Sequence, residues 1–447
     1  MSVYNQSYYC DNWINNGEMM KALLKTFAMT VALLAFGIPA HAAELPQIHG
    51  FAEAAFGMRF NREPETKHSR YNLLEQRLQL KTYYAIPDDL IPAEYRASLR
   101  LKGDFTVDEY FGAKTAFDLR EAFLAFSPLE QLDLKLGRQV LTWGTGDYLF
   151  INDVFPKDYV SFFIGRDDEY LKKPSDALRL SLYPQAVHVD FVVIPFFEPN
   201  TLAEGDRVSF FDSFQQGISG RNSDRDLLEP ARQADNFEYA GRLYRTFGQS
   251  EAALYWFRGF DHSPRSYKNE AARQLYYQRQ DVYGGSLRAP ALGGIASAEA
   301  GYLYSPEDSD GSNRLIENSM LKAMAGYEKD LGNDLKIGLQ YYYEQKLDYD
   351  SYRAALLSTD YFWDQRRHVV TQRLTKLFKS QTVMVSIFSF YSPSDADGYL
   401  RPSVSYDVND QWKLTLGANL PWGEDAMTEF GQMTKNKNLY ARMRYSF

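Results

Sequence analysis

Cysteine is all but missing from this 447-residue chain: Cys10 is the single one, and it sits in the first eighteen residues. Beyond that stretch no disulfide framework, thiolate metal site or cysteine nucleophile can form. Long apolar runs are absent as well. After residue 43 nothing approaches 18 consecutive apolar residues, which excludes membrane-spanning helices. The motifs G-x-S-x-G and H-E-x-x-H, the Walker loop and the Rossmann glycine pattern do not occur, and His49, His68, His188, His262 and His368 have no metal-ligand spacing. No enzyme, cofactor or metal site is expected. Positive charge is short too: the formal net charge of -9 argues against a nucleic-acid partner.

Aromatic residues are abundant, at 15% of the chain, with 33 Tyr and 30 Phe. A polar average, many aromatics and no long apolar run is what strands produce when they alternate between lipid and a polar interior. At the N-terminus, Lys21 and Lys25 precede an apolar run from Phe27 to Ile38 and then Ala40-His41-Ala42. This reads as a secretory signal peptide over 19–42, with the mature chain starting near Ala43. Residues 1–18 precede it as a stretch expected to be mis-annotated, with translation starting at Met19 or Met20, and 43–447 form one barrel domain.

The stretch Asn438 to Phe447 alternates strictly: Leu439, Ala441, Met443, Tyr445 and Phe447 fall on one face, and Tyr440, Arg442, Arg444 and Ser446 on the other. Seventeen earlier segments, starting with 48–60, 71–85, 93–105, 115–127 and 131–143, alternate similarly. With the C-terminus placed in the periplasm, every second connection is a short turn, such as Leu331 to Asn333 or Pro290 to Gly293. Most of the others, such as 144–175 and 198–234, are long and polar. That parity suits an outer-membrane barrel, whose outer side alone is free to elaborate. The expected fold is all-β: a transmembrane antiparallel barrel of about 18 strands, with 16 left open, and a long loop folded into the lumen.

The run L-R-E-A-F-L-A-F-S-P-L-E-Q-L-D-L-K-L-G-R-Q-V-L-T-W-G from Leu119 to Gly144 resembles a hairpin of porin-like bacterial outer-membrane β-barrel proteins of poorly characterised function. These are distantly similar to alginate-export and phosphate-selective porins. I-P-F-F-E-P at Ile194 to Pro199, R-G-F-D-H-S-P at Arg258 to Pro264 and the tail through Y-L-R-P-S-V-S-Y to R-Y-S-F extend the resemblance. It implies an 18-strand-type channel fold and does not name a substrate. The expected function is passive passage of small polar solutes, with an anion preference that rests on the charge of the wall. Further implied partners are the bilayer, lipopolysaccharide and the barrel-assembly machinery, which would read a terminal signal at Tyr445 and Phe447. The other class of function is a non-conducting barrel that sheathes or docks a partner in export or electron transfer. The oligomeric state is left open.

The alternation assigns Arg77, Arg96, Arg100, Lys102, Arg120, Arg179, Arg242, Arg401, Arg442 and Arg444 to the pore lining. Bases exceed acids there by about five, and cationic rings favour anions. In the loop after Trp143, Phe155 and other apolar residues mix with Asp147, Asn152, Asp153 and Arg166, too apolar for a solvated loop. These six are expected to form a constriction. Two charges break phase: Glu121 lies with Phe117, Leu119 and Phe123, and Arg138 with Leu132, Leu134 and Leu136. A bulge at Gly137 that turns Arg138 inward would pair it with Glu121 or with the loop, sparing the cost of a charge in lipid.

Overall fold

The computed structural model describes residues 47–447 apart from position 359. The expected signal peptide and the stretch before it lie outside the described residues. Eighteen strands form one sheet, beginning with β1 (Ile48–Arg59), β2 (Tyr71–Ala85), β3 (Ser98–Asp108), β4 (Lys114–Leu129), β5 (Leu132–Val140), β6 (Pro174–Leu182) and β7 (His188–Ile194). β1 pairs antiparallel with both β2 and the closing strand Asn438–Ser446, so the sheet closes on itself. At that seam Glu53 faces Arg444 in register, with an ion pair of 2.8 Å, and Gly50 and Phe447 exchange two backbone hydrogen bonds of 3.0 Å.

The period of two sorts the side chains as the sequence requires. Outward, large apolar residues stand uncovered: Phe117 is 56% exposed, Leu254 64% and Leu416 59%. A belt of this kind around a whole cylinder is stable only against hydrocarbon. A closed sheet is also the one strand architecture that leaves no backbone group unpaired there. The molecule is therefore a transmembrane β-barrel.

The connections alternate in length. At one end lie tight turns, such as the one through Leu292 and Gly293, whose φ angles of 50° and 75° give the left-handed pair that suits the twist of a two-residue hairpin. At the other end lie long loops. These carry small sheets of their own: Phe210–Asp212 with Gly217–Ser219, and Asp226–Leu228 with Gln274–Tyr276 and Ser266–Asn269.

Two local departures bear on the lumen. β3 starts at Ser98, later than the expected 93, because Ala93–Tyr95 wind into a 3-10 turn after Pro92 and Arg96 takes φ 45°. Second, Lys102 pairs with Glu121 but Gly103 with Leu119, leaving Arg120 as an extra residue in β4. That bulge resets the alternation. Glu121 thus reaches the same face as Lys102.

Candidate functional site: the loop across the lumen

The connection 141–173 leaves β5 and returns to β6, its immediate neighbour, yet it crosses the barrel interior between them. Its fold is set locally. Asp158 caps the short helix Tyr159–Ile164 by accepting from the Ser161 N–H (2.9 Å) and the Ser161 hydroxyl (2.6 Å). Gly165 ends it at φ 91°, and a Cβ there would stand 2.3 Å from the Tyr440 ring of the closing strand. Asp167 then caps the 3-10 turn Asp168–Leu171 through the Glu169 N–H at 3.2 Å.

Apolar contacts hold the loop on two sides of the interior. Phe155, with Trp143 packed edge-on at 5.0 Å, joins Ala177, Val192, Ala240, Phe257 and Val282. Ile151, Phe162, Phe163 and Ile164 join Leu73, Met324, Tyr342, Phe388, Phe390 and Tyr399. Burying one such side chain contributes roughly 1.5–3 kcal/mol, so these clusters fix the loop before any charge is counted. Glu299 adds a polar clamp, accepting from Asn152 N (2.8 Å), Asn152 Nδ2 (3.0 Å), Thr145 N (2.6 Å) and Thr145 Oγ1 (3.0 Å). Gly284 leaves the room: a Cβ there would overlap Asn152 Oδ1 at 1.9 Å.

The loop also carries its own counter-charges to the wall. Asp167 accepts from Arg442 (2.9 Å) and Arg444 (3.1 Å), Asp168 from Arg401 (2.9 Å), Glu169 from Lys102 (2.8 Å), and Asp147 pairs with Arg373. In return, Arg166 of the loop meets Glu75 at 2.5 Å, which also accepts from Arg77 at 2.6 Å. Arg77 stacks 3.9 Å from the Tyr170 ring centre and reaches Asp104 at 2.6 Å. Burial pushes the Asp167 carboxyl up, but Arg442 and Arg444 outweigh it and hold the group below the usual carboxylate range.

All six expected loop residues thus engage named partners: Trp143 and Phe155 pack together, Asn152 binds Glu299, Asp147 pairs with Arg373, Asp153 with Lys157 (3.0 Å) and Arg166 with Glu75. Of the ten expected lining cations, Arg77, Lys102, Arg120, Arg401, Arg442 and Arg444 touch the loop. Arg100, Arg179 and Arg242 project inward nearer the short turns, paired with Glu121 (2.6 Å), Asp190 (3.0 Å) and Glu251 (2.6 Å). Arg96 is not on a strand at all. It caps the 3-10 turn, 63% exposed and 3.7 Å from Asp133.

The expected Glu121–Arg138 pair is not formed. The bulge lies at Arg120 and not at Gly137, so Glu121 turns inward to Arg100. Arg138 stays on the outward face with Leu136, near the long-loop end of β5. There it meets Asp176 (3.4 Å) and Glu198 (3.9 Å) and donates from Nε to the Leu119 carbonyl at 2.7 Å. Its charge is thus matched at the rim and not within the lumen. Sequence reasoning does not single out Arg373, Tyr170 or the wall role of Glu169. The alternation of 366–378 carries the first, but the other two depend on contacts that no local pattern encodes.

No family model matches the chain, and no curated protein matches it. Among solved structures, OccAB3 of Acinetobacter baumannii is 9% identical, with 91% of this chain and 100% of that one covered at a TM-score of 0.52. OccK11 (OpdR) of Pseudomonas aeruginosa is 10% identical, with 90% and 96% covered at a TM-score of 0.51. At such identities the likeness is one of fold. This chain shares the barrel architecture of OccAB3 and OccK11.

Proposed function

We propose that this protein is a bacterial outer-membrane channel for passive passage of small polar solutes, with the loop 141–173 setting the width of the path. The observation that supports it most is a set of exposed charges on the inner wall on the short-turn side of the loop. A cavity of about 680 Å³ there is lined by Glu251, Arg288, Glu328 and Lys336, among others. Of its lining, Glu251 is 40% exposed, and elsewhere on the inner wall toward the short turns Asp133 is 40% and Arg100 48% exposed. A barrel serving only as an anchor or sheath gains nothing from solvated charges on its inner wall.

On this reading the short turns face the periplasm and the long loops face lipopolysaccharide, and Tyr445 and Phe447 form the signal read during barrel assembly. Charge pairing across the wall stabilises the polar interior and leaves ordinary polar solutes free to pass. The purified protein in a planar bilayer is expected to give steady single-channel currents. A folded barrel that stays silent across repeated insertions would transfer the protein to the sheathing or docking class.

A further inference from the structure

Pairing is nearly complete where the loop touches the wall, and nearer the short turns it leaves out Lys135. Among the described residues, Lys135 on β5 has no acidic side chain within ion-pair distance. Its cross-strand partner in register is Arg179 of β6. Both face the lumen, since Lys135 alternates with Gly137 and Arg179 with the buried Ala177. Like charges directly opposite each other on one face of a sheet destabilise it. The neighbouring strands add to the cost: Arg100 of β3 faces Phe123 of β4, whose ring centre lies 5.4 Å from the Lys135 ammonium. Gly137, in register with Phe123, puts no side chain over that ring.

Arg100 and Arg179 each have one acid, Glu121 and Asp190, and Asp133, the acid two residues from Lys135 on the same face, lies 3.7 Å from Arg96, so Lys135 is left without an ion-pair partner. An isolated ammonium in water explains itself; one set in register with an arginine on a sheet does not. An anion between them would convert the repulsion into two charge-assisted contacts.

We infer that Lys135 and Arg179, with Arg100 and the Phe123 face beside them, form a binding step for small multivalent oxyanions, carboxylate or phosphate, on the way through the lumen. This rests on the channel reading for its purpose but not for its test. Citrate and inorganic phosphate are titrated separately into the purified barrel by calorimetry, comparing wild type with Lys135→Ser and Arg245→Ser. Arg245 is an exposed arginine on the outward face at the same end, so its loss removes equal charge outside the lumen. Binding of at least one anion by wild type, weakened about tenfold in Lys135→Ser and unchanged in Arg245→Ser, is expected. The stronger of the two ligands identifies the source chemistry. Equal binding by wild type and Lys135→Ser, or none by wild type, overturns the site. If Lys135→Ser does not fold, acylation of Lys135 in the wild type is followed by peptide mass. Citrate or phosphate is expected to slow it, and an unchanged rate overturns the site equally. Anion binding by a barrel that carries no current would refute the channel and leave the site standing.

Discussion

Arg401 and Lys135 both project into the same lumen, yet their surroundings differ in kind. Arg401, 8% exposed, meets Asp168 of the loop and lies 4.2 Å from the Phe162 ring centre. Lys135, near the short turns, faces Arg179 and has no acid of its own. The first region is built like a protein interior, where a charge persists only with a partner. The second is built like a surface, where solvent and mobile ions screen what the side chains leave unmatched. The loop is what separates them, and it does so by bringing acids to a basic wall.

Replacing 141–173 by a short turn gives the largest expected effect. Val140 and Pro174 are already paired, so the strands need not shift. Conductance should rise severalfold, and the current should become anion-biased as Arg401, Arg442 and Arg373 lose their acids. Single-channel recording in a KCl gradient measures both; an unchanged reversal potential would mean that the loop does not control the charge of the path.

Next in size is Glu75→Gln. Glu75 is 4% exposed and binds Arg166 and Arg77, so its loss strands charge in the interior and should cost about 3 kcal/mol. The unfolding midpoint in urea checks this. A smaller effect follows pH. Because Asp167 is held below the usual range, its stabilisation is complete above roughly pH 4, where a free aspartate titrates, and is lost as pH falls through the lower folded value. The stability gap between wild type and Asp167→Asn should be constant at neutral pH and narrow only in acid. Smallest is Arg96→Ala: with both partners largely solvated at 3.7 Å, it should change stability by less than about 0.5 kcal/mol.

Much of the barrel was legible because alternation is a local property. The strands and the parity of their connections follow from it, as does the inward set from Arg77 to Arg444. Where legibility stopped, a single inserted residue or a distant contact was responsible. Arg120 resets the phase of β4 without a glycine or proline to announce it, which is why Glu121 reads as facing lipid. Arg96 looks like part of a strand because its neighbours alternate, but the 3-10 turn after Pro92 removes it. The loop's apolar content shows that it cannot be solvated. The pairing of Asp167 with Arg442, 275 positions along the chain, has no local trace. Counting wall charges alone therefore gives a basic lumen; the acids that answer it lie in a segment whose place only the fold supplies.

The loop's two ends stand side by side on adjacent strands. It is therefore a removable part, attached at one rung of a ladder that is complete without it. Variation in its length or charge leaves the cylinder and its lipid belt unchanged while resetting the charge and filling of the interior. A chain that shed the loop would acquire the basic interior that the strand pattern alone describes.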